Sequence, residues 1–289
     1  MKKLVVKKIA DNFWVKCDDT LLCCKPRGGL KGDGVFVGDF VETENVNGTA
    51  VITKVLPRKN LLIRPPLANL EKLVIVIAKE PKPDFTIIDK LILFCLCYEI
   101  EPVICVNKID MGDELLSEIL RVYKKVCEII GTSTKTMQNI DKLKALMQGH
   151  IAALAGQSAV GKSAIINALF GENSSKTGEL SEKIKRGKNT TRHCEIFYEN
   201  NIYISDTAGF TSLDEKLLPV SYFELPYYYP DFVEKLPGCK YKSCTHTTES
   251  VSDCAVKRAV YNGEIDKGRY ERYLQIFKIL NDKWRKTHG

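Results

Sequence analysis

The sequence predicts a protein of three domains: a small all-β barrel, a doubly wound α/β sheet and a mainly helical domain. Short β-rich runs separated by turn residues fill residues 3–55, and strands alternate with helices from residue 73 onward. After residue 219 the chain carries a group of aromatic residues, a Cys/His cluster and a basic helix. With 289 residues, the chain is long enough for each domain to bury a core of its own.

The first domain is predicted over residues 1–64. Its β-rich runs are residues 13–15, 21–24, 39–42 and 50–55, with Gly, Asn and Asp turns between them, which is typical of a small β-barrel. A glycine-rich stretch at residues 26–34 is too flexible for a strand and carries cationic side chains. We therefore expect a loop there that can follow a phosphate backbone.

The second domain is predicted over residues 65–216. Apolar strands at residues 73–78, 103–106, 127–131 and 151–155 alternate with helices at 85–99, 113–124, 140–147 and 162–170, and Gly171 closes the last helix. Residues 194–198 and 202–205 are predicted to form a hairpin. This alternation indicates a βαβ series with a largely parallel sheet.

The third domain, residues 217–289, ends in a basic helix predicted over residues 265–286. On this helix Tyr270, Tyr273, Phe277 and Trp284 alternate with Lys and Arg residues. The helix could lie on RNA through its cations. At helical spacing, however, aromatic residues are more typical of a core, with the cations merely solvated, and both interpretations stay open.

A phosphate-binding loop is predicted at residues 156–163 (G-Q-S-A-V-G-K-S). The stretch fits G-x-x-x-x-G-K-[ST] and lies between an apolar strand and a helix, a context that disfavours the alternative of a purely structural glycine turn. We expect its N–H groups to surround a β-phosphate, Lys162 to bridge the β and γ oxygens, and Ser163 to hold Mg²⁺. Ala159 is the least comfortable residue, since its Cβ would have to tolerate a positive φ. The predicted nucleotide-binding residues here are Gly156, Gln157, Ser158, Ala159, Val160, Gly161, Lys162, Ser163 and Ala164.

A base-binding loop is predicted where the strand at residues 103–106 ends. The next residues are Asn107, Lys108, Ile109 and Asp110. An aspartate there can accept both N–H donors on the Watson–Crick edge of guanine, whereas adenine would present an acceptor to the carboxylate. The motif therefore predicts selection of GTP over ATP.

Two further segments are candidates for switches. Residues 206–209 (D-T-A-G) follow a strand, where Asp206 can reach Mg²⁺ through water and the amide of Gly209 can sense a γ-phosphate. Residues 186–192 (R-G-K-N-T-T-R) form a polar stretch that could supply a second hydroxyl to Mg²⁺, and a plain surface loop is the alternative. The candidate catalytic residues are Lys162, Asn189, Thr190, Thr191, Asp206 and Gly209.

The order of these motifs predicts a circularly permuted GTPase domain. In ordinary small GTPases the phosphate loop precedes the guanine motif, whereas here Asn107 precedes Gly156 by 49 positions. Permutation moves the chain ends and keeps the sheet and the site. The segment at residues 206–209 then leads directly into the third domain.

A metal site is predicted in the third domain. Cys239, Cys244, His246 and Cys254 offer three thiolates and one imidazole, a donor set that suits structural Zn²⁺ and leaves no open position for catalysis. The alternative is a group of unligated thiols, because a reducing compartment disfavours disulfides. The remaining cysteines, among them Cys95 and Cys105, fall in apolar segments and are interpreted as core residues.

The sequence contains six motifs in the order in which they occur in the RsgA family, also called YjeQ or YloQ, and it resembles that family. Its members are circularly permuted GTPases that act late in the assembly of the bacterial small ribosomal subunit. The six motifs are residues 64–69 (R-P-P-L-A-N), 107–110, 156–163, 186–192, 206–210 and the Cys/His cluster. The resemblance covers nearly the whole chain. It implies an N-terminal OB barrel, a central P-loop GTPase and a C-terminal zinc domain, with both outer domains gripping ribosomal RNA.

Two positions bear on how the family's mechanism would apply to this sequence. The family commonly has a histidine where Asn189 stands, and asparagine can orient water but cannot take up a proton at neutral pH. Phe210 follows Gly209, as is usual in the family, so no glutamine is present and we expect slow hydrolysis that the ribosome accelerates. Ala208 replaces the family's proline and Ala159 its glycine, and neither change removes a ligand.

Charge and composition limit the possible partners. The net charge is +7, with 12 Lys/Arg and 7 Asp/Glu in residues 1–65, 18 and 20 in residues 66–215, and 13 and 9 in residues 216–289. Basic ends around a near-neutral middle suit a nucleic-acid partner, although solvated lysines often give the same pattern. The apolar runs are far shorter than the ~20 residues of a membrane span and no secretory segment is recognisable, so we expect a cytoplasmic protein without a membrane partner.

Three functions remain in competition. The leading hypothesis is a GTP hydrolase that binds the immature small ribosomal subunit through its rRNA, uses GTP/GDP, Mg²⁺ and one structural Zn²⁺, and leaves after hydrolysis. Other assembly factors are candidate partners, and a monomer is expected. The second hypothesis is a GTP-regulated rRNA-binding assembly protein with little turnover. The third, a P-loop kinase, is disfavoured by the guanine motif and the lack of a recognisable second-substrate lid.

Overall fold

The computed structural model describes residues 2–18, 20–31, 34–63, 66–171, 194–205 and 218–288. The two candidate switches, residues 186–192 and 206–209, lie outside these ranges, as do the first two residues of the motif at 64–69. Within the described ranges, no helix has both the length and the apolar character needed to cross a membrane.

The N-terminal domain is a closed five-stranded barrel, as predicted. Its strands are β1 (Lys3–Ile9), β2 (Asn12–Cys17), β3 (Thr20–Pro26), β4 (Phe40–Val46) and β5 (Thr49–Val55). The order around the barrel is β1-β2-β3-β5-β4, and β1 pairs with β4 to close it. Only β3 and β5 run parallel among these pairs. The barrel core consists of Val5, Phe13, Val15, Cys24, Val35, Val41 and Ile52.

Two features of the barrel differ from the sequence interpretation. Strand β1 was not among the predicted runs, because exposed and half-buried lysines such as Lys7 and Lys8 hide its apolar residues. In the glycine-rich stretch at residues 26–34, Pro26 is the last residue of β3 and Gly28–Lys31 form a short 3₁₀ helix, while residues 32 and 33 lie outside the described ranges. Its Leu30 N–H donates to the Arg27 carbonyl at 2.8 Å.

A two-stranded hairpin, β6 (Leu61–Ile63) and β7 (Pro66–Ala68), connects the barrel to the next domain. Two buried asparagines hold it in place. The Asn60 amide donates to the carbonyls of Leu70 and Tyr98 at 2.8 and 3.0 Å, and the Asn69 amide donates to the Gly38 carbonyl at 2.9 Å. Residue 38 must be glycine, since a Cβ there would lie 2.0 Å from the Ala68 carbonyl oxygen.

The central domain is a six-stranded sheet in the order β10-β9-β8-β11-β13-β12, parallel except for β12. Its strands are β8 (Lys72–Ile77), β9 (Glu101–Val106), β10 (Glu128–Gly131), β11 (Ile151–Ala155), β12 (Ile196–Glu199) and β13 (Ile202–Ser205). Its helices are α1 (Phe85–Cys97), α2 (Glu114–Tyr123), α3 (Ile140–Met147) and α4 (Lys162–Phe170), with a 3₁₀ helix at Ile109–Met111. These elements agree with the predicted βαβ series to within two residues at almost every boundary.

The strand order determines where a ligand can bind. From β8 the chain moves outward to β9 and β10, then returns to β11 on the opposite side of β8. In open α/β sheets ligands bind beyond the carboxyl ends of the strands where the order reverses in this way. That point lies between β8 and β11. Both strands are buried along their whole length, so only the loops at their ends can contact a ligand.

The C-terminal domain is built from short helical segments and one long helix. The segments are Leu225–Tyr228, Pro230–Val233, Leu236–Gly238 and Ala255–Tyr261, and the long helix, called the C-terminal helix below, is Lys267–His288. The Asp266 carboxylate accepts from the Arg269 N–H at 2.9 Å, which satisfies a backbone donor at the start of this helix. A mainly helical third domain is therefore confirmed.

A buried cluster of charges joins the C-terminal domain to the central sheet. Arg269, which is 1% exposed, donates to Asp89 on α1 and to Asp231, with 2.9 Å between its Nε and the Asp231 carboxylate. Arg272 donates to the second oxygen of Asp89 and to the Tyr123 hydroxyl. Neither carboxylate has an exposed side chain. The Arg269 guanidinium also lies 4.7 Å from the ring centre of Tyr229.

We expect Asp89→Asn to destabilise the protein by about 3 kcal/mol, because it leaves two arginines facing a neutral amide in a buried site. Guanidinium unfolding followed by near-ultraviolet circular dichroism measures this. Glu271→Gln is the matched control: its partner Lys267 is 3.9 Å away at the surface, and the expected change is within about 0.5 kcal/mol. Equal effects of the two variants would show that the buried cluster does not hold the domains together.

Candidate functional site

The predicted phosphate loop lies between β11 and α4, at the point where the strand order reverses. Two of its glycines cannot be replaced. Gly156 has φ 141° and a Cβ there would lie 2.2 Å from the Val76 carbonyl oxygen, while Gly161 has φ 101° and its Cβ would lie 2.3 Å from the Asn107 amide nitrogen. The loop is thus packed against the carboxyl ends of β8 and β9.

Ala159 has φ 67°, as expected from its place in the loop. A left-handed conformation costs a residue with a Cβ roughly 1–2 kcal/mol. The Ala159 carbonyl accepts a hydrogen bond from the Lys108 ammonium at 2.9 Å, which helps to hold this conformation. The loop therefore accommodates an alanine in the left-handed conformation.

Lys162 is the first residue of α4, and its ammonium bends back over the loop. It donates to the carbonyls of Gly156 and Gln157, both at 2.7 Å. Burial lowers the pKa of Lys162 from its ordinary value. The ammonium therefore lies against the loop backbone, where a bound phosphate would favour its charged form.

The predicted guanine loop begins at the end of β9 and contacts the phosphate loop directly. Asn107 is 2% exposed, and its amide donates to the Val160 carbonyl at 3.0 Å and accepts from the Thr132 hydroxyl at 3.3 Å. Lys108 has φ 64°, and its ammonium donates to the carbonyls of Glu80 and Ala159. These two residues join the loops, while Ile109 starts the short 3₁₀ helix that carries Asp110.

The carboxylate of Asp110 is oriented by a residue that the sequence interpretation missed. The Ser133 hydroxyl donates to Asp110 Oδ1 at 2.6 Å and accepts from the Thr136 N–H at 3.2 Å. Ser133 is fully buried, whereas Asp110 is exposed. Thr132 and Ser133 follow β10, which lies beside β9. Polar residues directly after a third parallel strand could therefore have indicated that Ser133 belongs to the site.

Of the candidate catalytic residues, only Lys162 lies in the described part of the chain. Asn189, Thr190, Thr191, Asp206 and Gly209 lie outside it. The residues at the edges of the two gaps are in contact with each other: Cys194 Sγ and Ser205 Oγ are 3.3 Å apart, and Ile196 pairs with Ser205 across β12 and β13. The barrel also reaches this edge of the sheet, where the Lys7 ammonium lies 2.8 Å from the Glu195 carboxylate.

The four predicted metal ligands converge in the C-terminal domain. The thiol sulfurs of Cys239, Cys244 and Cys254 and a ring nitrogen of His246 all lie within 4.8 Å of one another. The His246 Nδ1 is 3.2 Å from Cys244 Sγ, 3.3 Å from Cys254 Sγ and 3.8 Å from Cys239 Sγ. Ligands at about 2.3 Å (sulfur) and about 2.0 Å (nitrogen) around one tetrahedral ion have such separations. The donor set and its spacing therefore fit Zn²⁺.

The surroundings of this cluster keep the ligands in the right state and position. Burial lowers the pKa of His246 to about 4, which keeps the imidazole neutral with a lone pair for a metal. Burial raises the pKa values of the Cys244 and Cys254 thiols, so binding a metal there would release protons. The Cys254 sulfur accepts from the Lys257 N–H at 3.4 Å, at the start of the helix Ala255–Tyr261, where a negative charge is favoured.

Comparisons with known proteins cover nearly the whole chain. The family model described as RsgA GTPase matches residues 55–216. A relative from Caldanaerobacter subterraneus subsp. tengcongensis, named small ribosomal subunit biogenesis GTPase RsgA, is 37% identical over 98% of this chain and 97% of its own length. The crystal structure of YjeQ from Thermotoga maritima matches with a TM-score of 0.81 and 32% identity, covering 96% of this chain and 98% of that one.

A second solved structure, described as YloQ, a circularly permuted GTPase, also matches with a TM-score of 0.81, at 25% identity, and covers 98% of this chain and 95% of that one. The permuted order predicted from the motifs is therefore shared with a solved structure. The family model matches more than half of the chain. The relative and the two solved structures each align with nearly all of this chain and with nearly all of their own length. On these grounds the chain belongs to the RsgA GTPase family.

Proposed function

We propose that the protein is a ribosome-stimulated GTPase that binds the small ribosomal subunit through its rRNA, assists late maturation of the subunit and leaves after GTP hydrolysis. The observation that carries this proposal is the direct contact between the guanine loop and the phosphate loop through Asn107 and Val160. In this proposal a single nucleotide contacts both loops. The names of the relatives, which describe small ribosomal subunit biogenesis GTPases, supply the process.

The phosphate loop would hold the nucleotide through backbone N–H groups and the N-terminus of α4. Lys162 would exchange its two carbonyl partners for β- and γ-phosphate oxygens, and Ser163 would hold Mg²⁺, with a hydroxyl from Thr190 or Thr191 and a water-mediated contact from Asp206. When bound, the magnesium ion neutralises charge that develops on the phosphate oxygens. The ion is thus assigned to Ser163 and the switch residues.

Base selection would depend on Asp110. Its carboxylate can accept the ring N–H and the exocyclic N–H₂ of guanine at once, and the Ser133 hydroxyl bond at 2.6 Å limits how it can rotate. Adenine would place a ring lone pair against the same charge. Membership of a GTPase family and this arrangement both argue against the kinase hypothesis.

Catalysis would depend on ordering residues 186–192 and 206–209 around the γ-phosphate. Asn189 can orient an attacking water, but it cannot accept its proton, and no glutamine follows Gly209. Slow hydrolysis by the isolated protein is expected, with acceleration when the subunit orders these segments. The same two positions motivate the alternative, a GTP-regulated rRNA-binding protein with little turnover.

The outer domains would supply the RNA contacts. Residues 1–65 and 216–289 both carry a positive charge excess, and the C-terminal domain is held to the central sheet by the buried cluster around Asp89. Their cations would contact rRNA phosphates, which gives salt-dependent affinity. The proposal further places the protein in the cytoplasm as a monomer and leaves other assembly factors as candidate partners.

Phosphate release from GTP and from ATP, each with and without small ribosomal subunits, tests this proposal. We expect slow release from GTP alone, at least tenfold acceleration by subunits, and no acceleration with ATP. Tight GTP binding without any subunit-dependent acceleration would favour the GTP-regulated RNA-binding alternative.

We expect Ser133→Ala to weaken GDP binding by about tenfold, because the hydroxyl that orients the Asp110 carboxylate is lost. Titration calorimetry with GDP and ADP measures the effect, which should be confined to GDP. Thr134→Ala removes a hydroxyl from the next residue and should leave both affinities unchanged. A loss shared equally by GDP and ADP would contradict a role for Ser133 in base recognition.

We expect Cys239→Ser to lower the bound zinc from about one equivalent per chain to a small fraction, because three remaining ligands hold the ion weakly. Metal analysis of protein purified without chelator gives the content, and differential scanning calorimetry should show lower stability of the C-terminal domain. Cys23→Ser, at an exposed cysteine on β3, is the control. Equal zinc content in both variants would argue against this metal site.

A further inference from the structure

The chain segment that carries the candidate metal ligands Cys244 and His246 makes a tight turn, and one carboxylate closes it. His246 has φ 60°, the left-handed conformation that residues with a Cβ rarely adopt. The Glu249 carboxylate accepts from the N–H groups on both sides of this residue. Its Oε1 accepts from Thr245 and its Oε2 from Thr247, each at 2.8 Å.

This arrangement is an anion-binding turn whose anion belongs to the chain itself. N–H groups on either side of a left-handed residue point to one side of the backbone and form a concave site for negative charge. Burial raises the pKa of Glu249, but hydrogen bonds from backbone N–H groups, those of Thr245 and Thr247 among them, outweigh it and bring the pKa below its ordinary value. The carboxylate is therefore ionised at neutral pH and can accept both bonds.

Two further side chains hold the same turn through its carbonyl groups. The Lys257 ammonium donates to the carbonyls of Thr247 and Glu249 at 2.7 and 2.6 Å. The Tyr270 hydroxyl donates to the His246 carbonyl at 2.7 Å. All of these contacts are made with the backbone, so they fix the turn and leave the imidazole Nδ1 facing the thiol sulfurs.

The imidazole ring of His246 has no second polar contact to orient it. In most metal sites the ring nitrogen that does not bind the metal donates to a carboxylate or a carbonyl, which fixes the ring. Here His246 is 1% exposed, and its Nε2 has no hydrogen-bond partner within the described ranges. The ring is instead packed edge-on against Phe232, with ring centres 6.1 Å apart and planes at 88°. Its orientation therefore depends on this packing and on the backbone turn.

We propose that Glu249 is a positioning residue of the metal site: its carboxylate fixes the left-handed turn at His246 and thereby aims Nδ1 at the three thiols. This rests on the zinc site proposed above, because it concerns how that site is held ready for the ion. The opposing interpretation is that Glu249 acts only through its charge. A negative charge beside thiolates disfavours their ionised form and would weaken metal binding.

Glu249→Gln distinguishes the two roles by the sign of its effect. Glutamine keeps the size of the side chain but places an N–H₂ donor against one of the two backbone N–H groups. We expect zinc affinity, measured on the full chain by competition with a chelator, to fall by about tenfold or more, as for other residues that orient metal ligands. A role through charge alone predicts tighter binding. Glu264→Gln is the matched control, since Glu264 pairs with Lys235 at the surface, and its affinity should be unchanged.

Glu249→Asp keeps the charge and shortens the side chain by one methylene, so that it cannot reach both N–H groups. Its zinc affinity should lie between those of the wild type and Glu249→Gln. Co²⁺ bound in place of zinc reports the geometry directly, because its visible absorption depends on the ligands and their arrangement. The spectrum should change in both Glu249 variants and stay unchanged in Glu264→Gln. Near-ultraviolet circular dichroism checks folding, and Glu249→Asp decides if Glu249→Gln is not folded.

Unchanged or tighter zinc binding by Glu249→Gln would overturn the proposal, as would a Glu249→Asp variant with the affinity and cobalt spectrum of the wild type. The result for Cys239→Ser separates this outcome from failure of the zinc site itself. If Cys239→Ser keeps its zinc, the metal site is wrong. If Cys239→Ser loses zinc while both Glu249 variants bind it as the wild type does, the site remains and the positioning role fails.

Discussion

The hydrogen bond from the Asn107 amide to the Val160 carbonyl connects the two loops of the candidate nucleotide site. It joins residues 53 positions apart in the chain at 3.0 Å. The loops meet because β9 and β11 are both neighbours of β8, so their carboxyl ends lie at the same edge of the sheet. Close contact also explains Gly161, where a Cβ would collide with the same amide. The site depends on strand adjacency and not on the order of the motifs in the chain, which is why permutation can move the chain ends and leave the site intact.

The buried charges around Asp89 extend this framework to the third domain. Asp89 lies on α1, the helix between β8 and β9, and it accepts from two arginines of the C-terminal helix. A buried ion pair adds little net stability compared with apolar packing. Another orientation of the C-terminal domain would, however, leave one of these buried charges without a partner. The cluster therefore favours one orientation of the domain over others. The candidate metal ligands are connected to the same helix through Tyr270 and Tyr273, whose hydroxyls donate to the carbonyls of His246 and Thr245 at 2.7 Å.

Sequence patterns predicted the parts of this protein whose signal is local. The strands of the central sheet are apolar runs, and the phosphate and guanine loops have motifs with fixed residue spacing. Each can therefore be recognised within about ten residues of sequence. The Cys/His cluster converges as its spacing predicted. Ser133 was missed because no local pattern shows that its hydroxyl contacts Asp110. Asp89 was missed because it lies in a largely apolar helix and its arginine partners are about 180 residues away in the chain. The strands β6 and β7 have three residues each, too few for a period to show.

The C-terminal helix shows why periodicity alone could not decide between core and surface. Tyr273 and Trp284 are 11 residues apart, close to three helical turns, and so lie on the same side of the helix. Tyr273 is fully buried because the segments Leu225–Tyr228 and Pro230–Val233 bring Tyr229 and Phe232 against it. Trp284 contacts the rings of Tyr222 and Phe223 and is 39% exposed. The same side of one helix is therefore buried near its start and partly exposed near its end. The segments that pack against the helix determine this difference, and the helical period does not reveal them.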